Sequence, residues 1–251
     1  MSRSFQTLVL VVVIVTATLG LGRESNAGGP VTIGTGSNSA SADSWVAGAH
    51  AGYNWQSGSA VYGFETDFSG MHLNSSMQGA LIGGGGVPVP PPGGTSTSAS
   101  IDWYGTFRGR LGATSGPLLF YGTGGLAYGN VDLSSHVQTA VGVPLNSGTS
   151  AVKAGWVAGG GIEYMYSSNL IFTVGYQYVD LGTLSLAATQ PAGFGRILTQ
   201  NASAQGQFQT VMAGFSWRFA PTGSGPWQGG YAGGQAGGAW GLSTSANYSS
   251  Q

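Results

Sequence analysis

Cysteine is absent from this 251-residue chain, which excludes a disulfide framework and any thiolate metal site. Charge is scarce: Asp, Glu, Lys and Arg make up 6% of the residues, where a usual soluble surface carries roughly a quarter. The formal net charge of -1 supplies no electrostatic footprint for nucleic acid. Beyond one apolar run at the N-terminus no stretch fits a membrane helix, and no segment keeps a helical period. Disorder is excluded as well, because aromatics reach 11% and recur in alternating runs.

The N-terminal run has its own reading. Arg3 precedes apolar residues from Leu8 to Leu21, and Ser25-Asn26-Ala27 offers small residues for cleavage after Ala27. This predicts an export signal peptide over 1–27. The competing membrane anchor is weaker, since the run falls short of the ~20 residues that span a bilayer.

What the chain does have is alternation with period 2, the mark of strands with one apolar face. In 45–56, Trp45, Ala47, Ala49, Ala51, Tyr53 and Trp55 share a face opposite His50, Asn54 and Gln56. In 60–68, Tyr62, Phe64 and Phe68 oppose Glu65 and Asp67. Similar segments run over 101–112, 117–129, 154–166, 169–180 and 207–219, each near the ~9 to 11 residues a tilted strand needs to cross a bilayer.

The few charges then fall into place. With Trp103, Phe107 and Leu111 on one face of the stretch WYGTFRGRLG, Arg108 and Arg110 share the other. Glu65, Asp67, Glu163 and Arg218 likewise oppose apolar faces, and His50 joins them. In a membrane barrel these seven residues point inward, because an Arg facing lipid at mid-bilayer costs ~2 to 4 kcal/mol. They predict a lumenal polar network in which three acids pair with three bases. Trp45, Trp55, Trp103, Trp156 and Trp217 lie near strand ends and predict interfacial girdles.

Connections alternate in length. Short links fall at 56–59, 113–116 and 167–169, and long ones at 69–100, 130–153 and 181–206. Short periplasmic turns and long external loops give an up-and-down membrane barrel that rhythm. The run Gly83 to Gly94, rich in Gly and Pro, reads as loop.

Ala51-Gly52-Tyr53-Asn54-Trp55-Gln56 and Val61 to Asp67 resemble the second and third strands of small alphaproteobacterial outer-membrane barrels, the OmpA-like porin-family surface antigens of rhizobia and brucellae. Asp102 to Gly112, Tyr121 to Gly129, Gly155 to Tyr164 and Tyr176 to Gly182 continue the series in order. The resemblance covers most of 45–219 and implies an all-β, eight-stranded antiparallel transmembrane β-barrel in a Gram-negative outer membrane.

One departure raises a topological question. Such barrels open with a W-x-G-x-Y-x-G segment, to which 28–44 is a poor match, whereas Trp227-Gln228-Gly229-Gly230-Tyr231-Ala232-Gly233 follows Phe219. In one arrangement the barrel is permuted, and 226–242 closes the sheet beside 207–219 and 45–56, leaving no open edge in lipid. In the other, 226–242 begins a truncated second repeat and 31–39 serves as a makeshift first strand. The first divides the chain into signal peptide 1–27, flexible segment 28–44, barrel 45–242 and tail 243–251.

The resemblance implies a structural, surface-exposed protein whose partners are outer-membrane lipids and lipopolysaccharide, the barrel assembly machinery, and host or environmental surfaces met through external loops. A narrow gated pore is the alternative. No G-x-S-x-G, H-E-x-x-H or P-loop pattern occurs, and His50, His72 and His136 sit in different elements. The expectation is therefore no enzyme, no cofactor and no metal site.

Overall fold

The computed structural model describes residues 31–38, 42–79, 94–138, 144–193, 196–219 and 225–250. The expected signal peptide lies outside them. Among the described residues nine strands form: β1 (Val31–Asn38), β2 (Ala42–Ser57), β3 (Ala60–Gly79), β4 (Gly94–Ser115), β5 (Leu118–Gln138), β6 (Leu145–Met165), β7 (Leu170–Gly193), β8 (Arg196–Phe219) and β9 (Gly229–Ser250). β2 to β9 close an antiparallel eight-stranded ring, β9 lying between β8 and β2. The Trp227–Gly233 motif thus belongs to the closing strand, with Tyr231 opposite Gly52 on one side and Arg218 on the other. β1 pairs with the outer part of β9, from Val31↔Ser250 to Asn38↔Thr244, continuing the column that β2 occupies further down.

Three sequence expectations need correction. Residues 31–38 are a strand rather than part of a flexible segment, because β9 offers them a ladder. The barrel extends to Ser250, so 243–250 is no tail. The long connections 69–100, 130–153 and 181–206 are largely strand: β7 and β8 each run 24 residues and pair from Leu170↔Trp217 to Gly193↔Arg196. Their Ser, Thr, Ala and Leu residues alternate too, but with the apolar set inward.

At the other end the turns are tight. Gly58 and Gly116 take φ of 60° and 59° in two-residue hairpins, a conformation costly for any residue with a Cβ.

Midway along the strands the register slips at four places: Gly70/Leu73 in β3 against β4, Ile101/Tyr104 in β4 against β5, Asp180/Thr183 in β7 against β8, and Gln205/Phe208 in β8 against β9. Bulges bend strands and increase twist, and this belt of bulges separates two differently built halves. Below it the strands form a closed barrel. Above it β3–β4–β5–β6 and β7–β8–β9–β1 form two four-stranded sheets; the β6–β7 ladder stops at Trp156↔Asp180. Their inner faces share one apolar core: Leu73, Ile101, Val131 and Leu133 from the first, Leu181, Leu184, Ala202 and Ala204 from the second.

Candidate functional site

In the lower half outward positions are apolar and the inward ones carry the charges. Ten residues separate Trp45 from Trp55 on β2, which at ~3.3 Å per residue and ~35 to 45° tilt covers the ~25 Å apolar band of a membrane barrel. Trp55 stacks on Tyr62 at 5.9 Å at the turn end, and Phe68 on Trp103 at 5.5 Å at the bulge level. Trp45, Trp156 and Trp217 face outward with 49% or more of their surface exposed, Trp55 with 39%.

Inside, Glu65 of β3 stands directly opposite Arg108 of β4. Arg108 Nη2 donates to Glu65 Oε1 at 2.5 Å and to Asp67 Oδ2 at 2.7 Å. Arg110, two residues on and so on the same face, donates from Nη1 to Glu65 Oε2 at 3.1 Å and from Nη2 to Glu163 Oε1 at 2.7 Å. Thr106 Oγ1 adds a 2.6 Å bond to Asp67. Turning the Gln177 amide oxygen toward Arg108, which avoids setting donor against donor, gives further acceptors at 3.0 and 3.3 Å. All five charged side chains are buried.

Aromatic residues complete the cluster. The Arg110 guanidinium lies 4.3 Å from the Tyr121 ring centre and 5.4 Å from that of Tyr231, within cation–π range. The Tyr231 hydroxyl accepts from Arg110 at 2.6 Å and donates to Glu65 at 2.7 Å. The closing strand is thereby tied to the charge cluster of β3, β4 and β6.

Two residues expected in this network form no ion pair with it. Arg218 is buried at the turn end, where its Nε and Nη2 donate to the Ser168 carbonyl and no carboxylate meets it. The cluster therefore holds three acids and two bases. His50 Nε2 bonds Ser216 Oγ at 2.7 Å, reaching from β2 to β8 over β9, where the intervening ladder residue is Gly233. His72 is exposed and meets Asp102 at 3.0 Å, and His136 meets Asn146 on the outer surface. Among the described residues no group of three or more His, Asp and Glu side chains is arranged to hold a metal.

Alternation already sets Tyr104 beside Arg108 and Arg110, but sequence reasoning missed the other lumenal aromatics. Trp227 fills the barrel floor with Val61, Leu119 and Ile171, while Tyr231, Tyr121 and Tyr104 face the charges or the core above them. Their signal was phase: Tyr104 and Tyr121 share the inward register with Arg108 and Thr123. From floor to outer end the interior is an apolar layer, an ion layer and a second apolar layer. In the ion layer a cavity of about 20 Å³ borders His50, Glu65, Arg108, Glu163 and Gln235, the size of one water.

A family model described as an outer membrane protein beta-barrel domain matches residues 7–219, ending ahead of β9. The chain is 33% identical over 187 residues to the 31 kDa outer-membrane immunogenic protein of Brucella melitensis, covering 74% of this chain and 70% of that one. Against the 22 kDa outer membrane protein of Rhizobium leguminosarum identity is 33% over 129 residues, 51% of this chain and 49% of that one. A closed ring with an outward apolar band, matched over most of its length by this family, leaves one conclusion: the chain is a member of the outer-membrane β-barrel family and resides in the Gram-negative outer membrane.

Proposed function

We propose that this barrel serves as a structural component of the outer membrane that presents its outer half for surface interactions, without catalysing a reaction. The observation that carries the reading is the filled interior. Solutes entering from the turn end would meet buried Trp227, then the Arg108–Glu65–Arg110–Glu163 cluster, then the core around Leu133 and Leu181. Eight strands leave an interior that side chains fill. The partners consistent with this role are membrane lipids and lipopolysaccharide around the aromatic belt, the assembly machinery that inserts the barrel, and host or environmental surfaces at the outer half; nucleic acid is not among them.

Planar-bilayer recording on the refolded chain tests this reading. Wild type is expected to show no steady conductance, and a deletion strain is expected to show increased sensitivity to detergent. An ohmic current that changes with Glu65→Gln would overturn the reading in favour of the narrow pore.

A further inference from the structure

β6 and β7 are joined only between Trp156↔Asp180 and Met165↔Ile171. Both continue past that point, β6 back to Leu145 and β7 on to Gly193, each still paired on its other side, with β5 and with β8. Among the described residues no ladder crosses from 145–155 to 181–193. At this seam the outer half thus carries two free strand edges, side by side at one height above the membrane band; the other seam, between β1 and the outer part of β3, likewise has no ladder among the described residues. Proteins usually guard such edges with Lys, Pro or a bulge. Here Lys153 lies on the inward register opposite Gly129, and Pro191 sits near the loop end of β7. That leaves 145–152 and 183–190, which hold no charged residue, open to pairing. Val152 stands 64% exposed beside this edge, on an outer face otherwise formed by Asn146, Gly148, Ser150 and Ala154.

We propose that the β6–β7 gap is an interface for a second copy of this chain. Strand direction selects the occupant. β6 and β7 are antiparallel, so a single foreign strand placed between them would run parallel to one. A second barrel in the same membrane, related by a two-fold axis along the membrane normal, instead sets its β7 against this β6 and its β6 against this β7. Both new ladders are antiparallel, as in every other pair of the molecule. The sheet β3–β4–β5–β6 then continues into the partner's β7–β8–β9–β1, and the reverse. All four free edges at the gap are satisfied by one isologous contact. The inference is independent of whether the lumen conducts.

The cysteine-free sequence permits a direct test. Val152→Cys and Ser185→Cys, outward positions on β6 and β7, are expressed singly and together in outer membranes and treated with a short bis-maleimide. Expected is a cross-linked dimer when the two single variants are co-expressed, and none from either alone, since equivalent positions in the two copies lie on opposite faces of the joined sheets. A co-expressed pair that stays monomeric overturns the proposal, provided both variants keep the boiling-dependent gel shift of a folded barrel. Cross-linking of Val152→Cys with itself would overturn it equally, because β6 would then meet β6.

Discussion

Below the bulge belt β3 places Tyr62, Phe64 and Phe68 outward and Glu65 and Asp67 inward; above it the same strand places His72, Asn74 and Ser76 outward and Met71 and Leu73 inward. The inversion follows the solvent. Against lipid, apolar side chains belong outside and the few charges must find partners within. Against water the rule is that of a soluble sandwich, with an apolar core between two sheets. The change of regime needs no change of strand: on β3 the odd-numbered residues face in throughout and only their chemistry changes, whereas on β4 the bulge also resets which residues face in. Tyr104, Thr106, Arg108 and Arg110 keep one parity below the belt on β4, and Thr95, Thr97, Ala99 and Ile101 the other above it.

Removing one partner from the lower interior should have the largest effect. Arg108→Ala leaves Glu65 and Asp67 short of a counter-charge and is expected to lower barrel stability by about 3 to 5 kcal/mol, measured as urea-induced loss of the folded gel band. Leu133→Ala in the upper core acts by a different route, cavity formation, costing about 2 to 5 kcal/mol. Its effect should persist at high salt. Equal salt dependence of the two variants would contradict the division of the interior.

Next in size is the outward face. Phe64→Arg, in the apolar band, is expected to cost about 2 to 4 kcal/mol, whereas Asn74→Arg, on the same strand above the belt, should stay within about 0.5 kcal/mol. Stability in lipid vesicles checks both, and similar losses would place Asn74 in the membrane. Smaller than the loss from Phe64→Arg is that from Tyr231→Phe, which removes one hydroxyl from the ion layer. It leaves the fold intact and costs about 1 to 3 kcal/mol. A loss below this range would mean that Tyr231 does not tie the closing strand to Glu65 and Arg110.

The alternation in 60–68 and 103–112 was legible because lipid demands it: Glu65, Asp67, Arg108, Arg110 and Glu163 each sit opposite an apolar neighbour. What stayed hidden depended on distance across the ring. Arg218 obeys the same alternation yet lies at the turn end, beyond reach of the carboxylates. Trp227 and Tyr231 resemble girdle residues until the pairing of β9 turns them inward. The outer strands read as loops because Ser, Thr and Ala carry a weak apolar signal, and at the bulge belt the inward parity changes on β4, β7 and β9, which breaks the alternation.

By itself the sequence determined that the chain crosses a membrane as strands with its charges inside, since scarce charge, period-2 patterning and tight glycine turns are each local properties. Tertiary structure decided which charges meet, that β9 closes the ring between β8 and β2, and that the outer half splits into two sheets with free edges at β6 and β7. Those outcomes rest on register and closure, which arise only when residues more than a hundred positions apart, such as Glu65 and Tyr231, are brought within a hydrogen bond of each other.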